Sequence, residues 1–430
     1  MTKLKITDWN GFGDGVARDN GKVYFTPKTL VGDVIEAISI QESKRFNKVL
    51  QYKLISPSNL RKEPDCLHYT ECGACKIQGL EPGDYRKWKQ KVVQNSIRGC
   101  LSELPEPEFV WSETDSFRSR TLFHIHPDNQ KLCRVDWHGD LLPVSQCTIL
   151  APSLQERIKP LNNVLKDLSS GLKGELFRVF LQWNPEPKEV VTGIILNKIF
   201  SHSKEQFEEA FQDYSLPLFI ASRQREEWNP KTLVWINPSA HTDPGFFTQT
   251  NPQINEIIQS QIKIWVEKHT MKRVVDLFCG SGSHLQKIQS SLQKGIGIES
   301  NQAAISRALQ INSSEKLDFI CSKLPSTPIK YHEILQSLDS FIVNPPRAGI
   351  GESFLNSSFW KTWFENANCG IYMSCNLVSL QRDLNLLRSR FDFEVIDWKL
   401  FDMFPWTSHA EALVLLSKDK SNPAKLDSKS

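Results

Sequence analysis

The chain has 430 residues, 40% of them apolar, with 52 Lys plus Arg against 49 Asp plus Glu. That length exceeds one ordinary domain, and the near balance of charge argues against a uniformly basic nucleic-acid binder. No apolar run approaches a membrane span and the opening MTKLKITDWNGFGDG carries no apolar leader, so a cytoplasmic protein with no membrane contact is expected. Its ten cysteines then read as thiols, metal ligands or catalytic groups rather than disulfides.

Residues 1–57 read as short strands between glycine turns, the pattern of a small β-barrel. Phe12, Tyr24 and Phe25 in this stretch suit either core packing or stacking surfaces. Basic residues then gather between Lys44 and Arg98, among them Arg45, Lys48, Lys53 and Lys89. Such a cluster is a phosphate-binding face or a plain solvated one, and composition does not choose. SPSNLRKEPDC reads as a linker. PGDYRKWKQKVVQNSIRGC is helix-like, with Trp88, Val92, Asn95 and Ile97 as an imperfect stripe.

Residues 105–250 mix short strands with polar turns. NPQINEIIQSQIKIWVEKH predicts a helix with Asn251 as cap, Pro252 in the first turn, and Ile254, Ile257, Ile258, Ile262 and Trp265 on one face. Beyond residue 270 the runs RVVDLF, KGIGIE, LDFIC, SFIVN and GIYMS alternate with amphipathic stretches. Continuous apolar runs between helices predict a parallel α/β sheet buried on both faces. FEVIDWKLF and AEALVLL would close it as an antiparallel hairpin, and the polar end from residue 419 predicts disorder.

VVDLFCGSGSHL reads as strand, glycine turn and helix start, and Glu299 ends the next apolar run twenty-three residues after Asp276. An acid there suits ribose hydroxyls in open α/β folds. A dinucleotide fingerprint would place glycine where Leu285 stands; DLFCGSG instead resembles the S-adenosylmethionine loop of methyltransferases.

GIYMSCNLVSL delivers Cys375 to the carboxyl end of an apolar run. Alone, it reads more readily as a small core residue than as a nucleophile. FIVNPPRAGI brings Asn344 to the same end of the sheet, where ligands of such folds bind. Methylation of uracil C5 would use such a cysteine. A thiolate adds to C6, the C5 enolate takes the methyl group, and a base removes the C5 proton before elimination. FPWTSHAEALVLL offers Glu411 as that base, with a salt-bridged strand-end acid as the alternative reading of that residue.

The chain resembles, over nearly its whole length, the RNA uracil-C5-methyltransferases that carry a TRAM domain and an iron–sulfur cluster, the bacterial 23S ribosomal RNA enzymes especially. GFGDGVAR resembles the opening of the TRAM barrel, an OB-like RNA-binding fold. FRSRTLFHI is similar to the family's YRNRARLHV and implies an RNA-contacting role for Arg118 or Arg120. FFTQTN resembles FFQVN, which gives Gln249 a cofactor role. The DLFCGSG and GIE motifs imply cofactor contacts for Phe278, Gly280, Ser283 and Glu299. SCN implies Cys375 as nucleophile, and DMFPWTSHAEALVLL implies Glu411 as base. The resemblance also groups Cys66, Cys72, Cys75 and Cys147 as ligands of a [4Fe–4S] cluster, where spacing alone leaves zinc open.

The family's DPPRxG is NPPRAG here, so Asn344 stands where relatives place a carboxylate at the cofactor and target base. The amide keeps an acceptor oxygen but loses the charge. Asn-Pro-Pro also resembles the motif of amino-methyltransferases, which have an aromatic where Arg347 stands and would leave Cys375 and Glu411 idle; Arg347 is expected at the base instead. The resemblance implies a monomer of three parts: a TRAM-like barrel over residues 1–57, a central mixed α/β domain with the iron–sulfur lobe over 58–255, and a Rossmann-like methyltransferase domain over 256–418. The substrate would be a structured RNA, 23S ribosomal RNA before transfer RNA. The rivals are another base position and an RNA-binding protein with a decayed site.

Overall fold

A computed structural model describes residues 2–97, 99–167, 176–184, 188–196, 218–224, 227–228, 234–237 and 249–418. The expected disordered end from residue 419 lies outside them. The chain forms two compact units, each assembled from separated stretches: Met1–Ser96, Glu113–Pro252 and Phe404–Ser408 in one, Ile97–Ser112, Gln253–Met403 and His409–Ser430 in the other. Among the described residues no helix is long and apolar enough to cross a membrane.

The first unit opens with a six-stranded sheet. Its spatial order is Thr2–Lys5, Val34–Glu42, Asn47–Ser56, Lys22–Thr26, Gly15–Asp19, Asp8–Trp9. Inward side chains Leu4, Ile6, Ala17, Tyr24, Ile35, Ala37 and Val49 form its core. Tyr24 is therefore a core residue and not a stacking surface, whereas Phe12 is 73% exposed. The stretch expected to be a loose linker is tied down. Buried Asp33 accepts from Ser58 N at 2.8 Å and pairs with Arg61. The basic cluster divides as well: Lys44, Arg45, Lys48 and Lys53 are exposed, but Lys89 is fully buried.

Helix Pro82–Ser96 buries Tyr85, Trp88, Lys89, Val92 and Val93, so its inner face departs from the expected stripe ending in Asn95 and Ile97. The Lys89 ammonium explains the difference. It donates to Phe404 O at 3.0 Å and Thr407 O at 2.8 Å, which makes a lysine tolerable inside. A second sheet follows, in which Arg120–Ile125 and Leu176–Asn184 pair antiparallel beside Glu189–Leu196. Helix Ile158–Asp167 packs Ile158, Leu161 and Leu165 against Phe123, Val179 and Ile194.

The second unit is the predicted α/β sheet. Its order is Leu317–Cys321, Lys294–Glu299, Arg273–Leu277, Ser340–Val343, Cys369–Ser374, Glu411–Ser417, Glu394–Phe401, Glu108–Val110. The first five strands are parallel. The final strand enters antiparallel between Cys369–Ser374 and Glu394–Phe401, as expected for a closing hairpin. The parallel part starts at Arg273–Leu277 and builds outward first to one side and then to the other. That reversal creates a crevice at the carboxyl ends of Arg273–Leu277 and Ser340–Val343. In helix Pro252–Lys268 the buried arc runs through Ile254, Ile258, Ile262, Trp265 and Val266. Ile257 falls on the opposite side of Ile254 from this arc and is 40% exposed, which corrects its place in the predicted face.

Candidate active site and cysteine lobe

Strand Arg273–Leu277 ends at the glycine turn. Phe278 adopts φ +62°, a costly angle for a non-glycine residue, and Gly280 and Gly282 follow at +55° and +80°. A side chain at Gly282 would collide with the Phe319 ring, whereas a Cβ at Gly280 would meet nothing within 4 Å. The turn is thus closed behind and open in front. Gly280 N donates to Glu299 Oε2 at 3.3 Å, so the acid that ends the neighbouring strand sits at the glycine turn. Below them Asp276 is fully buried, and among the described residues neither carboxylate oxygen has a partner. Burial, reinforced by Glu299, holds its pKa well above the usual carboxylate range. Ser283 is exposed at the first position of helix Ser283–Ile288. An open backbone cradle, an acid beside it and an orphaned buried carboxyl behind fit an adenosyl ligand.

The next carboxyl end along the crevice carries half-buried Asn344, whose N–H still donates to Leu277 O at 3.3 Å. The Pro-Pro-Arg turn follows and exposes Arg347. Cys375 lies just past Ser374, and the register pairs Ser374 with Ala412. Continued by one residue, that register sets Cys375 beside Glu411. Cys375 is partly buried. Burial and then Glu411 raise its thiol pKa, while the nearby Arg347 guanidinium opposes them. Glu411 is 2% exposed, and burial alone pushes its carboxyl up to about 8. Among the described residues no charged partner acts on Glu411, so the salt-bridged alternative has no support there. The result is one crevice with a thiol, a buried carboxyl of high proton affinity and a guanidinium.

The cysteine lobe belongs to the first unit. Cys66, Cys72, Cys75 and Cys147 line one small cavity with His68, Gln78 and Arg134. Gln78 Nε2 donates to Cys75 Sγ at 3.4 Å, and Arg134 Nη2 donates to Cys147 Sγ at 3.6 Å. Burial pushes the Cys75 thiol up to about 12. Lys28, 7% exposed, donates to Tyr69 O and to Cys72 O at 2.6 Å. Among the described residues no group of three or more His, Cys, Asp or Glu stands in an arrangement that holds a metal ion. Four sulfurs around one cavity, with N–H donors and cations about them, are a donor set of the kind that zinc and iron–sulfur clusters both use.

The chain's other predicted residues fall in the first unit. Arg118 donates from Nε to Arg120 O at 2.8 Å, and burial with Arg134 nearby lowers its pKa to about 10. Arg120 lies over the Phe180 ring at 4.9 Å. Gln249 is half-buried. Of the remaining cysteines, Cys133, Cys279 and Cys369 are buried and Cys321 is exposed, while the side chain of Cys100 lies outside the described residues. Asp276, Lys28 and Asp383 were not singled out by sequence reasoning. Asp383 did leave a signal, an acid on the stripe of Leu380, Leu384 and Leu387.

Residues 330–419, which contain Asn344, Cys375 and Glu411, match the family described as tRNA (Uracil-5-)-methyltransferase. A 23S rRNA (uracil(1939)-C(5))-methyltransferase RlmD from Marinomonas sp. is 28% identical over 94% of this chain and 92% of that protein. The RlmD of Shewanella woodyi is also 28% identical, over 96% and 95% of the two chains. Over nearly its whole length the chain is thus similar to RNA uracil-C5-methyltransferases. A solved structure, a Pyrococcus abyssi tRNA (uracil-54, C5)-methyltransferase in complex with S-adenosyl-L-homocysteine, is 19% identical with a TM-score of 0.70. It aligns with 96% of this chain and 100% of its own, so the likeness in fold extends through both units.

Proposed function

We propose that the protein methylates C5 of a uridine in RNA, with S-adenosylmethionine as methyl donor and 23S ribosomal RNA as the substrate class. The observation that carries this reading is the antiparallel register Ser374 to Ala412, which brings Cys375 next to Glu411 at the carboxyl end of strand Cys369–Ser374. The bound donor would supply an electrophilic methyl group, held by the Gly280 turn and Glu299 with Phe278, Ser283 and Asn344 as further contacts.

In this scheme Arg347 offsets the burial of Cys375 and favours the thiolate that adds to C6 of the base. The C5–C6 double bond opens and C5 becomes the nucleophile. After C5 is alkylated, Glu411 as carboxylate takes the C5 proton. The C5–C6 double bond re-forms as the Cys375 sulfur leaves, and the thiolate is regenerated. Burial gives Glu411 the proton affinity this step needs.

The cysteine lobe is assigned a [4Fe–4S] cluster held by Cys66, Cys72, Cys75 and Cys147. The N-terminal sheet is assigned a TRAM-like RNA-binding role, with exposed Phe12 and the Lys44–Lys53 cations on its surface, and Arg118 or Arg120 serving RNA from the central region. The test is direct. Purified protein, labelled donor and unmodified 23S ribosomal RNA or transfer RNA transcripts should give 5-methyluridine in the ribosomal RNA. Label in the transfer RNA alone moves the substrate class, and label in cytidine or adenosine rejects the chemistry.

A further inference from the structure

Helix Leu377–Phe391 carries Asp383 on its buried face, fully shielded from solvent. A buried carboxylate is costly unless its lone pairs are satisfied, and here both oxygens are. Oδ2 accepts from Tyr372 Oη at 2.6 Å and Ile350 N at 2.8 Å. Oδ1 accepts from Gly351 N at 3.2 Å and from Arg382 Nε at 2.9 Å and Nη2 at 2.7 Å. The backbone donors belong to the end of the Pro-Pro-Arg turn. The same helix grips the start of that turn. Asn376 Nδ2 and Ser379 Oγ each donate to Arg347 O at 2.9 Å, and Arg382 Nη2 donates to Ala348 O at 2.6 Å. Gly349 lies between, at φ +75°, and a Cβ there would strike the Asp383 carboxylate. The turn therefore has no slack against the helix that begins directly after Cys375.

We propose that Asp383 is a positioning residue, which locks the segment Arg347–Gly351 onto this helix and so holds Arg347, whose carbonyl is bonded by the Asn376 that follows Cys375, beside the Cys375 thiol. This rests on Cys375 as the nucleophile. The charged groups facing that thiol are Arg347 and Glu411, one favouring the thiolate and the other opposing it. Asp383 touches neither the thiol nor the base; it acts through the turn.

The test reads the thiol itself, without RNA or methyl donor. Iodoacetamide alkylation of Cys375 in the full-length protein is followed against pH by peptide mass spectrometry. Arg347→Gln should slow alkylation near neutral pH by about five- to tenfold and move its midpoint upward. Asp383→Asn should move it the same way, and the Asp383→Asn, Arg347→Gln double variant should lose little more than Arg347→Gln alone. Tyr372→Phe, which removes one bond to the same carboxylate, should give a smaller shift in the same direction and stands in if Asp383→Asn does not fold. A variant that melts earlier but alkylates with the wild-type profile would overturn the proposal, as would full additivity in the double variant. Failure of the functional reading shows elsewhere, as retained methylation by Cys375→Ala.

Discussion

Glu411→Gln separates the acid's two properties, its burial and its work as a base. The amide keeps the shape and removes the ionisation. In the folded protein burial raises the Glu411 pKa from 4.5 to about 8. The folded state then binds this proton more tightly than the unfolded chain does. The associated stability is complete below pH ~4.5 and is lost as pH rises through about 8. Each pKa unit is worth about 1.36 kcal/mol, so the loss across this window reaches about 5 kcal/mol. Urea unfolding of the two forms between pH 5 and 9 should show it, with the variant gaining steadily on the wild type as pH rises. Catalysis should move the opposite way. About a tenth of free wild-type Glu411 is ionised at pH 7, so C5 deprotonation should accelerate with pH until about 8. The variant should methylate once and stall as an RNA-linked species on a denaturing gel. An unchanged stability slope in Glu411→Gln would refute the burial argument, and release of methylated RNA at the wild-type rate would show that another group is the base.

Cys375→Ala should bind the methyl donor normally yet lose turnover, and wild-type protein should trap RNA containing 5-fluorouridine as a covalent adduct; turnover by the Ala variant removes the nucleophile assignment. Protein prepared without oxygen should be brown with absorbance near ~400 nm, and Ser at Cys66, Cys72, Cys75 or Cys147 should bleach it while Ser at Cys133 should not; stoichiometric zinc without iron rejects the cluster. Asn344→Asp should hold or raise activity if the amide merely stands in for an acid, since a charge-assisted hydrogen bond is worth about 1.5–3 kcal/mol, or ten- to a hundredfold. A large loss in that variant would mean that the crevice is built around the amide.

The α/β sheet was legible because its strands are buried on both faces and therefore read as uninterrupted apolar runs, and the hairpin ending in Glu411–Ser417 was legible for the same reason. Cys375, Glu411 and the glycine turn were legible because each interrupts such a run at a carboxyl end or strand start. What stayed hidden depends on distant partners. Lys89 reads as one more surface cation until Phe404 O and Thr407 O are in place, and Lys28 until Cys72 O is. Ile257 looks apolar and in phase, but the buried arc bends toward Val266. The short strand Glu108–Val110 pairs with Glu394–Phe401 across a separation of 291 residues, which no local pattern announces. The grip of Asp383 on the Arg347 turn is of this kind too, since its donors come from three separate segments.

The central claim is that this chain makes 5-methyluridine in RNA through Cys375. Nucleoside mass spectrometry of 23S ribosomal RNA from a deletion strain, complemented with wild-type or Cys375→Ala protein, tests it most directly. The account predicts loss of a 5-methyluridine on deletion, restoration by the wild type and none by the variant. An unchanged ribosomal and transfer RNA profile on deletion would contradict it.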